Sequence, residues 1–472
     1  MERSAAPEAA PRAPESASAP PPARPEVESL QAYSAPLEGR RGLLRLDFNE
    51  NTVGPSPKVV EAIRAIPADQ YAIYPEYDGL REAVLASLAD MPGAIAAAAS
   101  ATAPAPSAIP AVAPANSADG VQALATVSLS QPPALRPSLR IEQVGLFNGV
   151  DAAIHALFQA YGAPGDRLLT TSPTFGYYTP CARMQGMVIE AIPYRLPGFV
   201  FPFEEILAAL TTPSAGAVEG SCPPRLLLLC NPNNPTGSRL APEAVLALAA
   251  AAPQTLVVVD ELYEAFTGDS VLRLLLGPGG QEPEGQKSAD AVATAAGTAV
   301  APETVALATA AGADPFASCP NLLVLRSLSK TAGIAGLRIG FAIGAAAVVD
   351  RLSRVTGPYD INSFAVSAAF AALADQPYVD AYVAEVLAAR QWLVERLVAA
   401  GVRHHVDGGN YLLIWPQRPA AEVDQALREA GILVRSMAGK PLIDGSLRVS
   451  LGTLEQMGRF WDAFVLCDAR SI

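Results

Sequence analysis

Apolar residues in this chain gather into short unbroken runs separated by longer mixed stretches. Arg225 to Cys230 (RLLLLC), Thr255 to Asp260 (TLVVVD) and Asn321 to Arg326 (NLLVLR) carry almost no polar alternation. Runs of this kind predict strands buried on both faces of a mostly parallel sheet. Arg167 to Thr171, Met187 to Pro193 and Ile339 to Ile343 read as further strands. The segments between them, such as Ala241 to Ala252, are rich in the helix formers Ala and Leu. The alternation predicts an α/β architecture.

Beyond about residue 345 the pattern changes. Helical stretches at 362–375 and 378–400 precede strands at Val402 to Val406 and Tyr411 to Trp415. A helix at 420–430, strands at Ile432 to Arg435 and Leu447 to Leu451, and a last helix from Thr453 follow. This reads as a smaller α+β domain. Two stretches interrupt the chain with a different composition: 91–139 is Ala, Pro and Ser, and 268–319 is Gly, Ala and Thr with few aromatics. Both read as low-complexity insertions in surface loops. The domain reading is a disordered tail at 1–28, an N-terminal segment at 29–70 packing with the small domain, a large domain at 71–345 and a small domain at 346–472.

The 472 residues leave room for two or three domains. No window holds about 18 continuous apolar residues, so no membrane span is expected. Residues Met1 to Ala23 lack the apolar core of a secretory signal. A net charge of −13 argues against a nucleic-acid or anionic-membrane surface. Five cysteines (Cys181, Cys222, Cys230, Cys319 and Cys467) form no CxxC pair, which suggests reduced thiols in a cytoplasm. Three histidines are too few for a histidine-built metal site, and no metal is expected.

Candidate chemistry clusters where strands end. Ser327-Leu328-Ser329-Lys330 follows one apolar strand, with Arg338 eight residues beyond the lysine. A buried lysine loses its charge and becomes a nucleophile toward an aldehyde. Hydroxyls and an arginine fork suit a phosphate. Asn231-Pro232-Asn233-Asn234-Pro235-Thr236-Gly237 follows another strand, at the end where open α/β sheets place ligands. Asp260 ends a third, with Tyr263 close behind; an acid there suits a protonated pyridine nitrogen. Gly149 and Val150 open a helix whose amides could meet an anion. Pro173 to Tyr178 (PTFGYY) offers aromatic faces for a planar ring. Arg435 and Arg448 are candidate anion clamps. Taken singly, each of these also fits an ordinary cap, turn, core or surface role.

Together they resemble the fold-type I pyridoxal-phosphate (PLP) aminotransferases, and among them the histidinol-phosphate aminotransferase group. The matching segments run in the family's order: LDFNEN (46–51), YPEYDGLRE (74–82), NGVD (148–151), PTFGYY (173–178), NPNNPTG (231–237), DELY (260–263), SLSK (327–330) with Arg338, and LRVSLGT (447–453). The resemblance implies a seven-stranded, mostly parallel sheet flanked by helices. It implies that Lys330 carries PLP, Asp260 partners the ring nitrogen, Tyr263 and Asn234 partner the ring hydroxyl oxygen, and Phe175 stacks on the ring. Gly149, Val150, Ser327, Ser329 and Arg338 would hold the phosphate. Tyr74 resembles a tyrosine that reaches the phosphate of a neighbouring subunit, which implies a homodimer. Asn49, Arg435 and Arg448 would bind substrate, an amino donor and then a 2-oxo acid. The preferred pair is L-histidinol phosphate with 2-oxoglutarate. An aromatic amino acid aminotransferase and a decarboxylase of the threonine-phosphate type stay open beside it. A sensor built on the same fold is disfavoured by the acidic charge and by a tail without a helix-turn-helix pattern.

Overall fold

The computed structural model describes residues 22–30, 38–89, 138–211, 223–277 and 313–469. The chain opens with a helical turn α1 (Pro25–Glu28), a short strand β1 (Leu44–Arg45) and helices α2 (Pro57–Arg64) and α3 (Leu80–Ala89). Then come β2 (Val144–Phe147), α4 (Val150–Tyr161), β3 (Arg167–Ser172), α5 (Tyr178–Met184), β4 (Val188–Pro193), α6 (Phe203–Thr211), β5 (Leu226–Cys230) and α7 (Pro242–Ala251). They are followed by β6 (Leu256–Asp260), α8 (Val271–Leu276), β7 (Leu322–Ser327) and β8 (Gly340–Gly344).

β2 to β8 form one seven-stranded sheet in the order β2-β8-β7-β6-β5-β3-β4. Only β8 runs against its neighbours; the pairs β3–β4, β3–β5, β5–β6 and β6–β7 are parallel. The unbroken apolar runs are explained by two cores. Leu227, Leu229, Val257, Val259, Leu322 and Val324 point into one, beneath α2, α3, α7 and α8. Their neighbours Leu226, Leu228, Val258, Leu323 and Leu325 point into the other, with α4 and α5. The central residues of these strands are thus apolar because both faces are covered. β2 was not anticipated: its four residues, one of them glycine, are too few to signal a strand.

The rest of the chain holds α9 (Ala346–Ser353), α10 (Ser363–Leu373), α11 (Gln376–Ala399), β9 (Arg403–His405), β10 (Tyr411–Trp415), α12 (Ala420–Glu429), β11 (Ile432–Leu433), β12 (Arg435–Ser436), β13 (Leu447–Ser450) and α13 (Leu454–Asp468). β12, β13, β10 and β9 make an antiparallel sheet in that order. β1 pairs with β11, and Leu44 and Leu46 enter the core beneath α11 and α13.

Packing divides the chain later than residue 346. α10 contributes Ala365, Ala368 and Ala369 to the core of the large sheet, and that core ends at Val379. Tyr382 and Val386, one and two turns further along α11, already belong to the second unit. The spans read as low complexity also have packed ends. Ser270 caps α8, whose Val271, Leu272 and Leu275 are buried, and Phe316 is buried beside them. Residues 90–137 and 278–312 lie outside the described residues, as do 1–21 of the tail. Among the described residues no helix is long and apolar enough to cross a membrane, and no group of His, Cys, Asp and Glu could hold a metal ion.

Candidate functional site

Parallel strands deliver their carboxyl ends to one edge of a sheet, and the candidate residues meet there. β5 ends at the turn carrying Asn234, β6 ends at Asp260, and β7 leads into Ser327 and Lys330. The segment from Asp47 to Asn51 crosses this edge, and β13 closes it from the other side.

Lys330 is half-buried, and its Nζ donates to the Phe48 carbonyl at 2.9 Å. Burial, then the nearby Arg448 charge, lowers its pKa to about 8. A sizeable neutral fraction of this amine therefore exists near neutral pH. The amine lies 6.0 Å from the centre of the Tyr263 ring.

Asp260 is 2% exposed. Its Oδ2 accepts from the Tyr178 hydroxyl at 2.7 Å. Its Oδ1 has no hydrogen-bond partner among the described residues, although the Leu262 amide faces the carboxyl. Burial raises the pKa of this acid to about 7. A buried carboxylate with an open oxygen asks for a cationic donor.

The Tyr263 hydroxyl accepts from Asn49 Nδ2 at 3.1 Å and from Asn234 Nδ2 at 3.3 Å. Asn234 Oδ1 in turn accepts from Arg448 Nη1 at 2.7 Å, and Arg448 Nη2 donates to the Asp47 carbonyl at 2.5 Å. Asn49 adopts a left-handed backbone (φ 54°), and its amide donates to the Ser450 hydroxyl at 2.8 Å. Two of these contacts join residues 401 apart in sequence. Arg435 stands opposite Arg448 in the β12–β13 register, so both side chains leave the ribbon on one face. The Arg435 guanidinium lies 5.7 Å from the Phe48 ring centre. On the same ring, at 4.3 Å, sits Arg40, held by Asp47 and Glu50.

A second pocket of polar groups surrounds the start of α4. Gly149 precedes the helix with φ 79°, and a Cβ there would lie 2.5 Å from Arg338 Nη2. Only glycine lets the guanidinium lie against the backbone. Arg338, itself left-handed (φ 60°), pairs with Asp151 at 2.7 Å. Ser327 Oγ donates to Ser329 Oγ at 2.8 Å. The Gly149 amide is not open to an anion: it turns back onto the Phe147 carbonyl at 2.7 Å. The tight reversal from β2 into α4 uses it, which corrects the expectation from sequence. The first-turn amides that a helix leaves without internal partners are those of Val150 and Asp151.

Phe175 sits past the end of β3, its ring edge-on to Tyr178 at 5.4 Å. The structure thus joins Tyr263, Asn234, Asn49 and Arg448 in one hydrogen-bonded network, with Lys330 over the Tyr263 ring, Asp260 at the neighbouring strand end and Arg435 opposite Arg448. Tyr74 stands outside that network, 70% exposed and stacked on Tyr359 at 4.1 Å. Sequence reasoning missed the Tyr178 hydroxyl, the Phe48 carbonyl, Ser450 and the Arg40 clamp. A residue's partner across hundreds of positions leaves no local signal, and PTFGYY does not say which of its aromatics faces an acid.

Such an edge can hold a planar ring that carries a proton at one end and a phosphate at the other. The open Asp260 oxygen could receive the proton, and Arg338 with the α4 amides and serine hydroxyls could receive the phosphate. Residues 136–464 match the family described as aminotransferase class I and II. The histidinol-phosphate aminotransferase of Roseiflexus castenholzii is 29% identical over 92% of this chain and 94% of its own. That of Symbiobacterium thermophilum is 30% identical over 90% of each. The crystal structure of histidinol-phosphate aminotransferase from Sinorhizobium meliloti with pyridoxal-5'-phosphate superposes with a TM-score of 0.66 at 21% identity, over 95% of this chain and 98% of that one.

Proposed function

This chain belongs to the class I and II aminotransferase family and uses pyridoxal phosphate, and from that premise we propose that it transfers the amino group of L-histidinol phosphate to 2-oxoglutarate. The observation that carries the substrate choice is the pair of arginines side by side on β12 and β13. A phosphorylated donor and a dicarboxylic acceptor both need two separated cations near the reacting carbon. Arg448 is held rigid by Asn234 and the Asp47 carbonyl, which suits the α-carboxylate of the acceptor. Arg435, stacked near Phe48, suits the more distant anionic group.

Bound pyridoxal phosphate supplies an aldehyde that condenses with amines and a ring that accepts electrons. The chain's own residues do the rest. Lys330 Nζ would hold the aldehyde and, once free, would take the proton from the carbon bearing the amino group. Its lowered pKa makes it a base near neutral pH. Asp260 Oδ1, without a partner among the described residues, would hold the proton on the ring nitrogen. Tyr263 and Asn234 orient the ring through its hydroxyl oxygen. Phe175 covers one ring face. Val150, Ser327, Ser329 and Arg338 hold the phosphate, with Gly149 giving Arg338 its room.

A homodimer is part of the same reading. Tyr74 is exposed beside Tyr71, Ile73 and Tyr359, all more than half exposed. An apolar patch of this kind marks an interaction surface, and from it Tyr74 would serve the phosphate pocket of a second copy. A cytoplasmic site of action completes the proposal.

The test is an absorbance titration of the purified protein. With PLP added, L-histidinol phosphate converts the lysine-bound band to the amine form of the cofactor, and 2-oxoglutarate restores it. A band that histidinol phosphate leaves untouched moves the assignment to an aromatic donor. Carbon dioxide release without any need for an oxo acid moves it to the decarboxylase.

A further inference from the structure

Asp260 has two oxygens in different surroundings. Oδ2 accepts from the Tyr178 hydroxyl at 2.7 Å, while Oδ1 has no hydrogen-bond partner among the described residues. Tyr178 opens α5 and is 1% exposed. Its ring meets Phe175 edge-on at 81°. One tyrosine therefore touches both the side chain assigned to the ring face and the one assigned to the ring nitrogen. Cys230 stands in register with Asp260 across β5 and β6 and borders the same hydroxyl. Its thiol is held by the Pro232 carbonyl and the Asn234 amide, at 3.4 Å each.

We infer that Tyr178 is a positioning residue, which fixes the Asp260 oxygen that faces the cofactor and keeps that carboxyl ionised. The inference rests on the PLP reading above and adds to it a residue that touches neither substrate nor ring nitrogen. Burial and the neighbouring Asp260 push the phenol well above its usual range, so its proton stays on oxygen. It can therefore only donate toward the carboxylate. That donation occupies Oδ2 and leaves Oδ1 as the one acceptor directed at a ligand. It also opposes the rise that burial imposes on the acid. Without it the carboxyl would lose the hydrogen bond that occupies Oδ2 and would retain its proton to higher pH. A protonated carboxyl cannot hold a proton on a pyridine nitrogen.

Tyr178→Phe keeps the ring and its packing and deletes the donor. It is made in the native protein and in the Asp260→Asn background, and PLP affinity is measured by fluorescence after removal and readdition of the cofactor. A hydrogen bond to a charged group predicts a loss of roughly 10- to 100-fold in the native background. In the Asp260→Asn background the loss should fall to about twofold or less. Equal losses in both backgrounds would reduce Tyr178 to a packing residue, and no loss would remove it altogether. A second variant covers a failure to fold: 3,5-difluorotyrosine at position 178 preserves shape and donates more strongly. In the cofactor-free protein its fluorine resonance should follow the Asp260 titration, with a midpoint below that of the native protein. Asp260→Asn should abolish that titration. A resonance indifferent to Asp260 overturns the inference. Failure of the native protein to bind PLP would instead overturn the underlying reading, because the cofactor-free titration tests the Tyr178–Asp260 pair by itself.

Discussion

Replacing Asp260 by asparagine should make the cofactor-free protein more stable while it cripples cofactor binding. The acid ionises near 3.8 in an unfolded chain and near 7 in the fold, because burial penalises its charge. Between those values the native state holds a proton that the unfolded state has released. Stability from this group is therefore full below about pH 4 and declines as pH rises through 7. At 1.36 kcal/mol for each tenfold change in proton affinity, the whole effect has a ceiling of about 4 kcal/mol. Asparagine carries no charge at any of these pH values and keeps the size of the side chain. Urea unfolding of the cofactor-free protein at pH 5 and pH 8 measures the difference. The variant should gain on the native protein by up to about 4 kcal/mol at pH 8, and by much less at pH 5. At the same time its PLP affinity should drop by at least tenfold, since the ring nitrogen loses its counter-ion. A gain of the same size at both pH values, or no gain at pH 8, would refute the account of a strained acid awaiting a cation.

Four further outcomes follow from the same geometry. The rate at which the cofactor-free protein captures PLP should rise with pH through about 8, where half of Lys330 is neutral, and level off above it, and Lys330→Ala should abolish the lysine-bound absorbance band at every pH. Arg448→Lys, which loses the two-pronged hold on Asn234 and Asp47, should raise the KM for 2-oxoglutarate by roughly 10- to 100-fold. Arg435→Ala, by contrast, should raise the KM for histidinol phosphate and leave cofactor binding unchanged, which equilibrium titration with PLP checks. Gly149→Ala would drive a methyl group into the Arg338 guanidinium at a backbone angle few side chains adopt, so the cofactor's phosphate affinity should fall, with about 1–3 kcal/mol lost from stability; calorimetry with and without PLP reads both.

The central strands were legible because burial on both faces leaves only apolar residues to see. β5, β6 and β7 fall within a residue of their expected bounds for this reason. β2 was not legible: at the sheet's edge, its four residues are strand only because β8 lies beside them. The packing of α9 and α10 onto the large sheet was not legible, because they are helices like those that follow and only packing shows which core they enter. In the site, Lys330, Asp260, Tyr263 and Asn234 were marked by their places just past strand ends. What no motif revealed is the pairing between them. That Asn234 bridges Tyr263 and Arg448, or that Tyr178 serves Asp260, is a fact of distance. The Gly149 amide shows the same limit, since a glycine ahead of a helix does not disclose that its own N–H is already spent on the turn.

The contacts that span 401 residues have a consequence for how the molecule comes into being. Asn49 and Asp47 each leave the ribosome 401 residues ahead of their partners, Ser450 and Arg448. Until they do, the acceptor's carboxylate has no clamp and Asn49 has no hydroxyl to fix its unusual backbone. The large sheet, with Lys330 and Asp260, is complete well before that point. A growing chain should therefore acquire the means to hold a cofactor before it acquires the means to bind a substrate. Long-range closures of this kind are also the slow ones in folding. On the proposed roles, substrate recognition is thus a late gain of folding.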